Sequence, residues 1–205
     1  NDIQGGVAGY AYFPSSHGNN NDGIVLEANF MGTNTNNSKV LVHEMGHYLG
    51  LHHTFEAGCT NNDCLVDGDK VCDTPPDNTT ANIPCSAISN SCTTDEDDLS
   101  TNNPFRPVLN GGLGDQNDQI ENYMDYSTLA CYDRFTAGQK VRMHFFLTGT
   151  RASLLSSDGC QPPCTSPINI GFNASATTIT TGTTVNFTNT TTNGVSYEWF
   201  NNSTS

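Results

Sequence analysis

The chain has 205 residues, with 21 acidic against 7 basic side chains and a formal net charge of −14. So acidic a chain suits neither nucleic acid nor an anionic membrane as a partner, since phosphates would repel it. No apolar run approaches the eighteen or so residues needed to cross a bilayer, so membrane insertion is not expected. Abundant Asn, Thr, Ser and Gly with scarce Lys point to a loop-rich secreted protein, expected in a form from which a signal peptide and a propeptide have been removed.

In chain order, residues 5–14 (GGVAGYAYFP) read as a strand ending at proline, followed by a polar loop. Ile24, Val25 and Leu26 predict a second strand, with residues 23–30 the candidate edge against which a bound peptide would lie. Asn37 or Ser38 is placed to cap a helix over about residues 38–50, whose Val40, Leu41, Met45, Tyr48 and Leu49 allow burial on more than one side. After His53 there is a long stretch of weak periodicity, rich in Gly, Asn, Asp, Pro and Cys. A last helix is expected from Thr136, which with Gln139 forms the T-x-x-Q pattern of a capping box, and Val141, Phe145, Leu147 and Leu155 offer its apolar face. His144 on that helix reads as packing rather than as a ligand. Residues 159–166 are expected to be a Cys/Pro hinge, so that residues 1–158 form one domain. Residues 167–205, Thr-rich over 177–192 and alternating towards Trp199, are expected to be a truncated β segment.

The chemistry is concentrated in HEMGHYLGLHH, residues 43–53. His43 and His47 are four apart and share one face of a helix, a spacing that a small divalent cation bridges with Zn–N bonds of about 2.0–2.1 Å. Gly50 can adopt the left-handed conformation that ends the helix and brings His53 back as a third ligand. Three protein ligands leave the fourth corner of a zinc tetrahedron open, the catalytic rather than the structural arrangement. Glu44 stands where it can act as general base and acid. Five such residues at fixed offsets arise by chance about once in ten million start sites.

His43-Glu44-x-x-His47-x-x-Gly50-x-x-His53 resembles the extended zinc signature of the metzincin metallopeptidases. The segments HHTFEAGC (residues 52–59), DGDKVCDTPP (67–76), NYMDYS (122–127) and FTAGQ (135–139) look like the pappalysin family, over about residues 7–155. The resemblance, to a secreted, bacterial-type member, implies an α+β fold with a twisted mixed sheet, an active-site helix and a loop-rich, disulfide-bonded lower half. It implies a zinc endopeptidase, monomeric, acting on protein or peptide substrates. Met124 would floor the metal site, and Tyr126 would stabilise charge on the scissile carbonyl oxygen. Asp69 and Thr74, helped by backbone carbonyls near Cys72, match a family calcium site. The tail resembles the first strands of a PKD-like, immunoglobulin-like module.

Eight cysteines, none in a CxxC pair near histidines, point to disulfides in an oxidising compartment. By the resemblance Cys85 pairs with Cys131, and Cys92 with Cys59 or Cys64; the partners of the others, Cys160 and Cys164 among them, stay open. The pattern departs from the family in one place. Members that cut before Arg or Lys carry an acid just before the cysteine that follows the methionine turn, and here Leu129-Ala130-Cys131 has alanine. An apolar or mixed preference therefore stands beside a basic one, unless Asp125 or another acid substitutes. A reading of a different class is a binding or adhesion protein whose metal is purely structural; the complete ligand set and Glu44 argue against it.

Overall fold

The computed structural model describes residues 3, 5–32, 34–78, 83–157 and 169–194. Its contacts divide the chain into two units, Asn1–Ser156 and Ser157–Ser205. The expected hinge at 159–166, with Cys160 and Cys164, lies outside the described residues, as does Trp199.

In the first unit, β1 (Gly9–Ala11) pairs antiparallel with β2 (Ile24–Leu26), Gly9 opposite Leu26 and Ala11 opposite Ile24. Where a twisted mixed sheet is expected, the described residues of this unit form only this two-stranded ribbon. A loop over residues 12–23, with a 3-10 turn at Pro14–Ser16, joins the strands. Gly9 is favoured by packing: a Cβ there would stand 2.9 Å from the Val25 backbone oxygen and 3.2 Å from Glu44 Cγ. The ribbon thus lies directly on the helix that carries the metal ligands.

That helix, α1, spans Lys39–Tyr48 and buries Val40, His43, Glu44, Gly46 and His47 on one side, leaving Leu41 and Met45 exposed. Ser38 occupies the N-cap position but does not cap. Its backbone is already helical (φ −64°, ψ −15°), and its hydroxyl donates to Thr35 O at 3.0 Å. A capping side chain needs an extended backbone to reach the free N–H groups of the first turn. At the other end Gly50 has φ +92°, Leu51 N donates to Gly46 O at 2.9 Å and Gly50 N to His47 O at 2.9 Å. This Schellman closure turns the chain back under the helix. A Cβ at Gly50 would also meet the Phe146 ring at 2.2 Å.

The segment 54–135 holds little regular structure and is tied by three disulfides, Cys59–Cys92, Cys64–Cys72 and Cys85–Cys131. The pairing of Cys85 with Cys131 agrees with expectation, and of the two partners open to Cys92 the structure selects Cys59. Cys64 takes the nearby Cys72 instead, which a separation of 8 residues and a tight turn bring alongside it.

The second helix, α2 (Ala137–Thr148), begins with the expected capping box: Gln139 N donates to Thr136 Oγ1 at 3.0 Å and Thr136 N to Gln139 Oε1 at 2.9 Å. Its expected apolar face is not the buried one. Val141, Phe145 and Leu155 are exposed, as is His144. The helix meets the rest of the unit along Gln139, Arg142 and Phe146, residues three and four apart; Gln139 is wholly buried and Arg142 Nε donates to Gly50 O at 2.7 Å. Just beyond, the fully buried Arg151 gives both terminal nitrogens to Asp22 (2.8 and 3.0 Å), further donates to Tyr48 O and Tyr12 O, and stacks 3.5 Å over the Tyr48 ring. It joins the C-terminus of α1 to both ends of the loop between the strands.

In the second unit β3 (Phe172–Ala174) pairs antiparallel with β4 (Phe187–Asn189), with the Phe172 and Phe187 rings 5.9 Å apart.

Candidate metal centre and catalytic cleft

His43, His47 and His53 converge: one ligand nitrogen from each lies within 4.8 Å of the others, and His47 Nε2 is 3.0 Å from His53 Nε2. The backbone sets their tautomers. His43 Nδ1 lies 2.5 Å from Tyr123 O and His47 Nδ1 lies 2.8 Å from Leu51 O. Facing a carbonyl, each Nδ1 must carry the proton, which leaves each Nε2 lone pair free toward the common space. Burial pushes all three imidazoles below their usual range, His43 to about 4 and His53 to about 3, with neighbouring histidines adding to the effect at His43 and His53. Neutral imidazoles held this way form a metal-ligand set, and their donor atoms and open side fit zinc. The His53 ring stacks on Phe55 at 4.6 Å.

Glu44 is buried beside His43, and its Oε2 has no hydrogen-bond partner among the described residues. Burial raises its carboxyl to about 7. A carboxylate so placed holds or releases a proton near neutrality, as a general acid–base group requires. Tyr126 faces the same space, its ring 4.7 Å from that of His53 and 5.7 Å from that of His43. Burial and the Glu44 charge raise its phenol, so it stays protonated and able to donate.

Met124 is completely buried beneath α1. A Cβ at Gly46 would come within 2.3 Å of Met124 Sδ, so the helix rests directly on the thioether. The turn that carries it is held from two directions: Met124 N donates to Asn122 Oδ1 at 2.9 Å, and the Asn122 side chain exchanges hydrogen bonds of 3.0 Å with Gln139. Gln139 therefore caps α2 and anchors the methionine turn at once.

The groove over the three histidines has a volume of about 500 Å³ and is bordered by Gly9, Tyr10, Ala11 and Phe13. This corrects the expected edge: β1 lines the cleft, with β2 as its paired neighbour behind it. Both strands are short, and the packing of Gly9 toward Glu44 together with the groove-lining Gly9, Tyr10 and Ala11 distinguishes them.

The chain matches the family model described as Pregnancy-associated plasma protein-A (Peptidase_M43) over residues 2–148. It belongs to that family. Among curated relatives, it is 36% identical over 154 residues to an extracellular metalloprotease of Verticillium alfalfae, covering 70% of this chain and 45% of that protein. A second, from Sordaria macrospora, is 37% identical over 158 residues, covering 73% and 47%. The fold is similar to that of Tannerella forsythia mature mirolysin, solved in complex with a cleaved peptide, with a TM-score of 0.52 and 26% identity over 75% of this chain and 53% of that one. The chain thus spans about half the length of these relatives. These matches support the metalloprotease family but neither a bacterial-type branch nor a PKD-like tail.

In this member of the Peptidase_M43 family, Asp69 and Thr74 do come together. Thr74 Oγ1 lies 2.8 Å from both Asp69 carboxylate oxygens and 2.9 Å from Val71 O. The carbonyl beside them is that of Val71, while the Cys72 side chain is bonded to Cys64. Burial raises the Asp69 carboxyl to about 7. Thr74 Oγ1 and the Val71 carbonyl beside both oxygens of a buried carboxylate are hard donors of the type calcium takes.

Several contributors escaped the sequence reading. The Tyr123 and Leu51 carbonyls carry no side-chain signature. Gly46 did leave a trace: a glycine inside a helix costs about 1 kcal/mol against alanine and so calls for a packing reason.

Proposed function

We propose that the chain is the catalytic domain of a secreted zinc-dependent endopeptidase. The observation that carries this reading is the convergence of three imidazoles, two of them oriented by backbone carbonyls, on a space bordered by the buried Glu44 carboxylate, whose Oε2 has no hydrogen-bond partner among the described residues. His43, His47 and His53 would hold the zinc, which supplies a Lewis-acid centre for a carbonyl and for water. Glu44 takes the proton of the attacking water and delivers it to the leaving amine. Tyr126 donates a hydrogen bond to the scissile carbonyl oxygen as negative charge develops there. The free edge of β1 offers backbone groups to an extended peptide, which would bind as an added strand. Asp69, Thr74 and the Val71 carbonyl would hold a structural calcium.

Cleavage of an internally quenched peptide mixture, measured with and without a chelator and after zinc is restored, tests the reading. Activity that disappears with the chelator and returns with zinc supports it. A zinc-loaded, folded protein that cuts nothing would instead favour a binding protein with a structural metal.

A further inference from the structure

Resting on the peptidase reading, we infer that this enzyme selects an apolar side chain on the leaving-amine side of the scissile bond, seated in a cavity floored by Leu129 and Tyr132. A cavity of about 280 Å³ opens beside the metal groove and shares Glu44, His43 and Tyr126 with it. Its other walls include Val7, Val40, Leu129 and Tyr132. Two features place it on the leaving-amine side. It borders Glu44, which hands over the proton, but neither His47 nor His53. β1 and its approach run from Val7 at this cavity toward Phe13 in the groove, so a peptide paired antiparallel to it brings its carboxyl-side residues to Val7.

The walls hold nothing to receive a cation. Among the described lining residues the only carboxylate is Glu44, which must exchange a proton during the reaction, and Asp125 is wholly buried and does not line the cavity. The Tyr132 hydroxyl is turned away and donates to the backbone carbonyl of Asp125. Nearby, Glu121 and Asp133 are both paired with Arg134, at 3.5 and 2.7 Å. At Ala130 the backbone carbonyl accepts from Lys39 Nζ at 3.1 Å, which places a cation rather than an acid at this position. A guanidinium or ammonium entering the cavity would leave water without gaining a partner, whereas an aliphatic or aromatic side chain gains by burial.

The test uses zinc-loaded protein and fluorogenic peptides that differ only at the residue after the scissile bond: Leu, Met, Phe, Arg, Lys or Asp. The cleavage position is confirmed by mass spectrometry. The expected result is a kcat/KM for Leu, Met or Phe at least about tenfold above Arg and Lys. Chelator-sensitive cleavage that favours Arg or Lys overturns this inference and leaves the peptidase reading standing; no cleavage of any peptide overturns both. Leu129→Asp should raise the Arg-to-Leu ratio by about tenfold or more, and an unchanged ratio in a folded, active variant removes Leu129 from the role. Should that variant not fold, Leu129→Ala, which enlarges the cavity, is expected to move preference from Leu toward Phe; an unchanged Leu-to-Phe ratio counts against the assignment.

Discussion

From Lys39 to His53 the chain positions its metal ligands with the hydrogen bonds of one helix and one glycine turn, whereas from Thr54 to Phe135 it relies on disulfides and buried polar side chains. In the first region the spacing of His43 and His47 follows from helical geometry alone, and the Gly46–Leu51 hydrogen bond closes the turn locally. In the second, Asp77, Asn103 and Asp125 are buried with almost no regular backbone around them. Asp77 is held by Thr54 and Ser91, and Asn103 takes Asn61 Nδ2 and donates to Asp95 O and Asp98 O. A helix pairs its backbone within itself, but a buried loop must find side-chain partners for its polar groups. The first region is therefore readable from residue spacing, and the second depends on partners distant in sequence.

The sharpest way to break the comparison is at the residue that both regions serve. Glu44→Gln should keep zinc but lower kcat by about 10²–10⁴-fold, the range for losing a general acid–base group; metal analysis and steady-state kinetics check both, and near-native turnover would refute the role. Next in size is the pair Cys85→Ser/Cys131→Ser, which opens a crosslink spanning 46 residues. A loss of about 2–4 kcal/mol in unfolding free energy is expected, measured by denaturant titration of a proteolytically inactive background. An equal loss on removing a partner of α1 would show that the two regions are stabilised alike. Tyr126→Phe should cost about tenfold in kcat with little change in KM if the hydroxyl has the proposed role, on charge that develops only during reaction.

The smallest effect concerns the buried carboxylates. Burial, then the charges of Asp118 and Asp125, raises Asp77 to about 6, above its value of about 3.9 in an unfolded chain. The folded state then binds the proton more tightly, so Asp77 contributes a stability that declines as pH rises from about 4 through 6 and is level beyond. Asp77→Asn lacks that slope. Its thermal midpoint relative to the parent should climb by about 2–4 °C between pH 4 and pH 7, the shift expected for about 1 kcal/mol in a domain of this size. A difference that falls over that interval would contradict the burial argument.

How far each part was legible depends on where its partners lie in the chain. The capping box at Thr136 was readable because both of its members lie within one turn. The buried face of α2 was not: Val141 and Phe145 are more apolar than Gln139 and Arg142, yet the latter meet Asn122 and Gly50, contacts no local pattern encodes. Likewise β1 and β2 are both short and apolar, and which one lines the cleft depends on the packing of Gly9 against α1.

By itself, then, the order of residues determined the histidine triad, the carboxylate proposed as general base and the glycine that reverses the chain, because helical spacing and a left-handed turn are local geometry. Only the tertiary structure decided which strand borders the groove, that Cys64 closes on Cys72, and that the cavity beside Glu44 is walled by Val40, Leu129 and Tyr132. Each of these is a contact between segments far apart in the chain, selected by competition for the same buried space, and that competition is resolved only when the whole domain packs.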